Sequence, residues 1–272
     1  MKDLSDRTAL LVRFGYDGGR FWGLQPQRGL PTAGAALARR LTEAAGAPPK
    51  GLCFAARTDR GVHALSNLAT CYWRLDVDVD NVLQALSQER DDGLLAVHGA
   101  CVPPTVHARG ISRGKHYRYR IRDQQAGDDL DDTRAWRVVP TLDPARMQEA
   151  ARALLGRHDF SSFRAGGCSA ATAEKTLYRI DVSRDGADIV VDLVGDAFLR
   201  KMVRNLVGLL AEVGSGWRPV DDVVAVLGAR VRQAAGVCAP PEGLTLVAVG
   251  CAWPDDGSAL LEGTPHEREP SS

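Results

Sequence analysis

The hydrophobic pattern of the first hundred residues changes its period in a fixed order. Short apolar runs that are typical of strands occupy four segments, at residues 8–14, 52–56, 68–73 and 94–97. Between the first and second runs, and again between the third and fourth, apolar residues recur with the spacing of amphipathic helices. The order strand, helix, strand, strand, helix, strand is the ferredoxin-like pattern, and it predicts a sheet with its helices on one face.

The second half of the chain resembles another version of the same unit. Its clearest strand covers residues 115–122, in which Tyr117, Tyr119 and Ile121 alternate with basic residues. Asp143-Pro144 predicts the start of a helix. The later elements are predicted as strands at 177–182 and 189–194, a long helix at 198–213, a short helix at 223–227 and a last strand at 244–249.

These patterns predict an α+β protein made of two ferredoxin-like halves. Pro103-Pro104 marks the predicted boundary, which gives an N-terminal half at 1–104 and a C-terminal half at 105–253. The acidic segment at 123–132 is predicted to be a solvated, mobile loop. The polar residues 254–272, rich in Pro, Gly and Ser, are predicted to be a disordered tail.

Charge and cysteine content restrict the classes of function. The chain carries 34 basic and 34 acidic residues, so an RNA-binding surface would have to be a local basic patch. We predict such a patch from Arg118, Arg120, Arg200 and Arg204. The six cysteines and six histidines show no metal-ligand spacing, which argues against a zinc site and a disulfide framework. Because there is no charged-then-apolar leader and no apolar run long enough to cross a bilayer, we expect a soluble, cytoplasmic protein.

A polar loop between the second and third strands is the candidate for chemistry. The apolar run that ends at Ala56 is followed by Arg57-Thr58-Asp59-Arg60-Gly61, and a strand pattern resumes at Leu65. A rigidly held, ionised carboxylate such as Asp59 can act as a covalent nucleophile. The same residue types also fit an ordinary type I turn with glycine at its fourth position, so a purely structural role stays open on this evidence.

The segment Arg57-Thr58-Asp59-x-Gly61-Val62-His63-Ala64 resembles the signature of the tRNA pseudouridine synthase A family. Further segments similar to that family occur in the same order, between about Leu10 and Val249. They are His107-Ala108-Arg109, Lys115-His116-Tyr117-Arg118-Tyr119, His158-Asp159-Phe160-x-x-Phe163, Phe198-Leu199-x-x-Met202-Val203-Arg204-Asn205 and Glu242-Gly243-Leu244-x-Leu246. The resemblance implies an isomerase in which two antiparallel sheets are joined across a central active-site cleft.

The resemblance also implies roles for individual residues. Asp59 matches the family's nucleophile, and Arg204 matches an arginine that pairs with it. Tyr117 matches a tyrosine that packs against the target uracil, Arg57 would fill the space of a flipped base or contact the RNA backbone, and Leu244 is assigned to substrate binding. Without the resemblance, Tyr117 fits simple sheet packing and Arg204 fits a solvated helix flank.

Pseudouridine formation explains why few groups are needed. The bond from uracil N1 to ribose C1′ breaks, and a new bond forms from uracil C5. Because nothing is oxidised, hydrolysed or transferred in, neither a cofactor nor a metal is required. The carboxylate either attacks C1′ or adds to the uracil ring, and either Asp59 or Tyr117 could remove the C5 proton. The target nucleotide must be flipped out of stacked RNA.

The chain departs from the family pattern on predicted substrate-positioning surfaces. A small residue usually follows the aspartate, whereas this chain has Arg60, whose guanidinium we expect to bind a substrate phosphate or to point to solvent. Gly23-Leu24-Gln25 replaces the usual Gly-Trp-Gln, Ala33-Gly34 replaces a Val-Gln pair, and residues 87–92 replace an Asn and Leu-Pro pattern. These departures concern the identity of the RNA target, not the reaction.

The predicted function is therefore isomerisation of uridine to pseudouridine in tRNA, in the anticodon stem-loop as in the family, by a homodimer. One alternative is the same chemistry on another RNA or on a free uridine nucleotide. Another is a non-catalytic RNA-binding module, against which the set Arg57, Asp59, Tyr117 and Arg204 argues, since a pure binder has no need of a nucleophile.

Overall fold

The computed structural model describes residues 7–74, 77–123 and 133–251. The predicted tail and, except for Asp123, the predicted acidic loop lie outside the described residues. The strands are β1 (Thr8–Tyr16), β2 (Lys50–Phe54), β3 (His63–Trp73), β4 (Leu94–Cys101), β5 (Gly114–Arg122), β6 (Trp136–Arg137), β7 (Gly156–Asp159), β8 (Glu174–Asp185), β9 (Asp188–Gly195) and β10 (Leu244–Gly250). The helices are α1 (Ala33–Ala45), α2 (Val79–Ser87), α3 (Ala108–Ile111), α4 (Pro144–Ala151), α5 (Met202–Gly214) and α6 (Asp222–Ala229).

Within the described residues, ten strands form a single sheet in the order β4-β1-β3-β10-β5-β9-β8-β7, with β2 paired to β3 and β6 paired to β5. The first half contributes β4-β1-β3-β2, and the second contributes β10-β5-β9-β8 together with the short strands β6 and β7. When β6 and β7 are left out of the count, both orders run fourth, first, third, second. The predicted α+β class is confirmed, and the two halves repeat one unit. The division of the chain at residue 104 stays a prediction.

The two halves meet where β3 begins. His63 lies opposite Thr245 and Ala64 lies opposite Leu246, in a short parallel pairing of β3 with β10. The remainder of β3 pairs antiparallel with β1 and β2. The loop that precedes β3 and carries Asp59 is therefore placed at the junction of the halves.

Local sequence signals explain most of the element boundaries. Helix α1 begins after Thr32, whose side chain accepts a hydrogen bond from the Ala35 amide, and ends at Gly46, which has a φ of 67°. Leu37 and Leu41 on its apolar stripe are completely buried. None of the helices in the described part of the chain combines the length and the apolar character needed to cross a membrane.

Helix α5 begins later than the sequence pattern predicts. Apolar spacing predicts its start at Phe198, but Lys201 has a left-handed backbone with a φ of 61°, so regular helix starts at Met202. Arg200, which lies inside the helix predicted at 198–213, therefore precedes the observed helix. Its guanidinium donates to the carbonyl of Gly166.

Candidate active site

A cleft of about 690 Å³ is lined by residues of both halves. The N-terminal half contributes loop segments within 22–27 and 55–62, and the C-terminal half contributes segments within 167–170 and 197–204. All six residues that the sequence singles out line this one cleft: Arg57, Asp59, Arg60, Tyr117, Arg204 and Leu244. The structure thus brings the predicted site residues together, while the role of each stays a prediction.

Hydrogen bonds from β1 and β3 hold the loop before Asp59. Asn67 is completely buried; its side-chain amide donates to the carbonyl of Ala56 at 2.9 Å, and its side-chain oxygen accepts from the Ala56 amide at 3.3 Å. The hydroxyls of Tyr16 and Thr58 lie 2.8 Å apart, within hydrogen-bond distance. The first half of the loop is therefore fixed to the sheet on both sides of Arg57.

A glycine on the neighbouring loop packs against the backbone beside Asp59. Gly23 has a φ of 93°, and a Cβ atom there would lie 3.2 Å from the Arg60 nitrogen and from the Thr58 oxygen. Glycine satisfies both the backbone conformation and the close approach. The next amide, that of Leu24, donates to the Thr58 carbonyl at 3.3 Å. The loop at 22–27 and the Asp59 loop therefore pack as one unit.

Arg204 is oriented towards Asp59 from the first turn of α5. Its Nε donates to the carbonyl of Ala239 at 2.6 Å, and its Nη1 lies 3.5 Å from Oδ2 of Asp59. The Asp59 side chain keeps 30% of its surface exposed to the cleft, whereas that of Arg204 keeps 11%. Asp59 is thus near a fixed positive charge and still accessible to a substrate.

Tyr117 forms a buried aromatic wall of the same cleft. It lies on β5 between Leu246 of β10 and Leu193 of β9, and its ring packs edge-on against Phe198 with centroids 5.0 Å apart. Burial, with a smaller contribution from Tyr16 and Asp59, raises the pKa of Tyr117 well above the usual value for a tyrosine. Its hydroxyl therefore stays protonated at neutral pH.

The two arginines that flank the Asp59 position have different surroundings. Arg57 is exposed, and no hydrogen bond or ion pair joins it to another residue of the described chain. The guanidinium carbon of Arg60 lies 3.6 Å from the centre of the Trp22 ring. This contact adds a third possibility to the phosphate contact and the solvated charge that the sequence suggests.

The cleft is strongly basic although the chain as a whole is neutral. Among its lining residues Asp59 is the single carboxylate, and seven side chains are basic: Arg57, Arg60, Arg109, Lys115, Arg200, Lys201 and Arg204. Burial lowers the pKa of Lys115. The N-terminus of α5, with its positive end of the helix dipole, also faces this cleft. The arrangement suits a polyanion.

Two of the four arginines in the basic patch that the sequence predicts lie outside the cleft. Arg118 forms an ion pair with Asp192 at 2.9 Å, and Arg120 pairs with Asp188. Alternation along β5 points both arginines to the face opposite Tyr117, so neither lines the cleft. The cross-strand register of β5 with β9 places Asp192 opposite Arg118 and Asp188 diagonally opposite Arg120, so both arginines are paired with a carboxylate outside the cleft. The RNA-binding patch itself stays a prediction.

Other cleft residues received no role from the sequence. Lys115 lies two residues before Tyr117, and the alternation of β5 is the signal that could have placed it in the cleft. Trp22 follows no periodic pattern, and its position became evident from the fold. In the described part of the chain, no cluster of three His, Cys, Asp or Glu side chains is arranged to hold a metal ion.

Comparisons with known proteins agree with these features. A family model described as tRNA pseudouridine synthase matches residues 150–250. The tRNA pseudouridine synthase A of Bradyrhizobium sp. strain BTAi1 is 40% identical over 235 residues, covering 86% of this chain and 96% of that protein. The protein of the same name from Neisseria meningitidis serogroup C is 36% identical over 248 residues, covering 91% and 93% respectively. With this identity over almost the whole length of its relatives, the chain belongs to the tRNA pseudouridine synthase A family.

Proposed function

We propose that this protein isomerises uridine to pseudouridine in the anticodon stem-loop of tRNA, with Asp59 as the nucleophile. The observation that carries the proposal is an accessible carboxylate, 3.5 Å from Arg204, in a cleft whose other charged lining residues are all basic. The carboxylate attacks ribose C1′ or adds to the uracil ring, and the freed base rotates before C5 bonds to C1′.

Asp59 is the better candidate for removing the C5 proton at the end of the reaction. A general base must accept a proton, and burial raises the pKa of Tyr117 so far that little phenolate exists at neutral pH. On the route through ribose C1′, C5 displaces the Asp59 carboxylate as the new bond forms, so the carboxylate is then free to accept the proton. Tyr117, packed on Phe198, then serves as the surface against which the detached uracil is held.

The remaining cleft residues are proposed to bind the RNA. Arg57 has no partner among the described residues, so its guanidinium is available to fill the space left by a flipped base or to contact a phosphate. Leu244 adds an apolar contact from β10. A free nucleotide would offer few phosphates to the seven basic side chains, and this favours a polymeric RNA over the free-nucleotide alternative.

The direct test is to incubate the purified protein with unmodified tRNA and to map pseudouridine at single-nucleotide resolution. Uridine monophosphate and an unrelated structured RNA are the parallel substrates. The proposal expects pseudouridine in the anticodon stem-loop and no reaction of the free nucleotide. Modification of a different RNA alone would assign the same chemistry to another substrate, and binding without any modification would support the non-catalytic alternative.

We further propose a homodimer and a cytoplasmic location. The support for the dimer is the family resemblance, in which the RNA-binding groove is shared between subunits. The support for the location is that tRNA is found in the cytoplasm. Light scattering coupled to gel filtration measures the mass directly, and a monomer at micromolar concentration in the presence of tRNA would contradict the dimer.

A further inference from the structure

Trp22 and Arg60 form a stacked pair on the wall of the cleft. Trp22 lines the cleft and is 43% exposed, whereas tryptophan residues are highly buried on average. The Arg60 guanidinium lies over its ring at 3.6 Å, and no hydrogen bond or ion pair to another described residue engages that guanidinium. One face of a planar cation and its nitrogen donors are therefore open to a ligand.

The backbone under this pair is held firmly. The Trp22 amide donates to the Pro31 carbonyl at 2.8 Å, and the side chain of Gln27 donates to the Trp22 carbonyl at 3.3 Å. Gly23, the next residue, packs against the loop that carries Asp59. The pair therefore has a fixed position relative to the proposed nucleophile, and little conformational entropy is lost when a ligand binds there.

The chemistry of the pair matches an unstacked nucleobase. Single-stranded bases stack on aromatic rings and on arginine planes, whereas a phosphate binds through the charge and the edge N–H donors of a guanidinium and gains nothing from an indole. Arg60 directly follows Asp59, and both line the same cleft as Trp22, so a base stacked on Arg60 and a uridine held at Asp59 fit neighbouring nucleotides of one strand. Flipping the target also leaves its neighbours without a stacking partner.

We propose that Trp22 and Arg60 form a platform on which the nucleobase adjacent to the target uridine stacks, against the outer face of the Arg60 guanidinium. The proposal rests on the proposed function and extends it to the choice of target. The preference for one base over another follows the strength with which each base stacks, and purines stack more strongly than pyrimidines. A tRNA with a purine at that neighbouring position should therefore react better.

The experiment uses full-length tRNA transcripts that carry one abasic nucleotide, on the 5′ or the 3′ side of the target uridine. With wild-type protein, one of the two abasic transcripts should bind and react about tenfold less well than the intact transcript, the scale of one lost stacking contact. With Trp22→Ala or Arg60→Ala, intact tRNA should already show that loss, and the abasic nucleotide should add less than about twofold, because the two changes remove the same contact.

Matched variants separate stacking from charge. Trp217→Ala removes an indole that is 73% exposed beside Arg218 and outside the cleft, so it should keep the full wild-type penalty for the abasic transcript. Arg60→Lys keeps the charge but not the plane, so it should behave like Arg60→Ala. Trp22→Phe keeps a smaller ring and should retain part of the effect, which also controls for misfolding of the alanine variant.

Two results would overturn the platform. One is a full abasic penalty that persists in Trp22→Ala, and the other is full rescue by Arg60→Lys, which would indicate a phosphate contact. Failure of the proposed function gives a different result, since wild type would then form no pseudouridine in any transcript. The binding measurements on the same intact and abasic transcripts decide the platform in that case too.

Discussion

Asp59, the proposed nucleophile, has an ordinary backbone conformation. The carboxylate sits in a turn closed by a hydrogen bond from the Val62 amide to the Asp59 carbonyl, with Gly61 at a φ of 83°. The type I turn over residues 58–61 that residue types alone suggest is wrong: the turn runs from Asp59 to Val62, and Gly61 is its third residue, where a positive φ is typical of a type II turn. A turn and a chemical role for Asp59 are nevertheless compatible. What distinguishes the position is its surroundings, namely Arg204 and an open cleft.

Asp59→Ala is expected to abolish isomerisation and to leave the fold intact. Because the Asp59 side chain is partly exposed and its ion pair with Arg204 is long, the free energy of unfolding should change by less than about 1 kcal/mol. Pseudouridine mapping tests the loss of isomerisation, and thermal unfolding tests the stability of the fold. Asp181→Ala, which removes an exposed carboxylate 3.1 Å from Arg179 and outside the cleft, is the control that should keep full activity. Turnover by purified Asp59→Ala would remove Asp59 from the mechanism.

Tyr117→Phe is expected to lose less than about tenfold in rate, whereas loss of a general base typically costs about 100-fold or more. Phenylalanine keeps the edge-on packing against Phe198, and the raised pKa of Tyr117 means that its hydroxyl stays protonated. For the same reason the wild-type rate should not rise between pH 8 and pH 10 through ionisation of Tyr117. A steep loss in Tyr117→Phe, or an alkaline rise in wild type that disappears in this variant, would make Tyr117 the base.

At the scale of elements, the site depends on how strand ends hold loops. β2 ends at Phe54, so Ala55 and Ala56 belong to the loop although they continue the apolar run. Asn67 on β3 replaces the missing strand partners of Ala56 by bonding both its amide and its carbonyl. A buried polar side chain thus substitutes for sheet pairing just before the loop that carries Asp59.

Asn67→Ala should lower the free energy of unfolding by about 2 kcal/mol, since the Ala56 amide and carbonyl then lose their partner in a buried site. Activity should fall as well, because the Asp59 loop loses its anchor. Urea denaturation and turnover on tRNA measure the two effects. Asn81→Ala, on the exposed side of α2, is the matched change and should stay within about 0.5 kcal/mol of wild type. Equal stability of the two variants would show that the hydrogen bonds between Asn67 and Ala56 do not support the loop.

Sequence patterns predicted the bounds of helices and strands where the signal is local. Thr32 caps α1 and Gly46 ends it, and threonine and glycine are residue types that mark these two positions in a sequence. The start of α5 was misplaced because the left-handed conformation of Lys201 leaves no mark in apolar spacing. The two-residue strand β6 and the four-residue strand β7 are too short to show a period, so pairing with neighbours defines them.

At the scale of the whole molecule, the candidate active site lies at the junction of the two halves. His63 at the start of β3 is buried, and its Nδ1 accepts a hydrogen bond from the Gly18 amide at 3.1 Å. Burial lowers the pKa of His63, which favours the neutral ring that this hydrogen bond requires. The motif that carries the family resemblance therefore includes His63, which lies opposite Thr245 of the other half, as well as Asp59, the proposed nucleophile.

The distribution of charge could not be predicted from the sequence. Arg118 and Arg57 are alike in a sequence, and the difference between them is a carboxylate on the neighbouring strand, since Asp192 pairs with Arg118. Strand register decides such pairs, and it depends on the complete sheet. A neutral chain thereby acquires a basic cleft, because many of its acidic residues are used to neutralise arginines elsewhere.

This distribution predicts that tRNA binding weakens steeply with salt in spite of zero net charge. Each phosphate contact releases counterions, so the logarithm of the binding constant should fall linearly with the logarithm of the salt concentration. Arg57→Gln, Arg109→Gln and Lys201→Gln should each weaken binding and reduce the slope by about one. Arg118→Gln should leave the slope unchanged, because Asp192 already neutralises that arginine outside the cleft. A binding constant that is flat between low and physiological salt would contradict the basic cleft as the RNA site, and so would an Arg118→Gln slope that falls as far as that of Arg57→Gln.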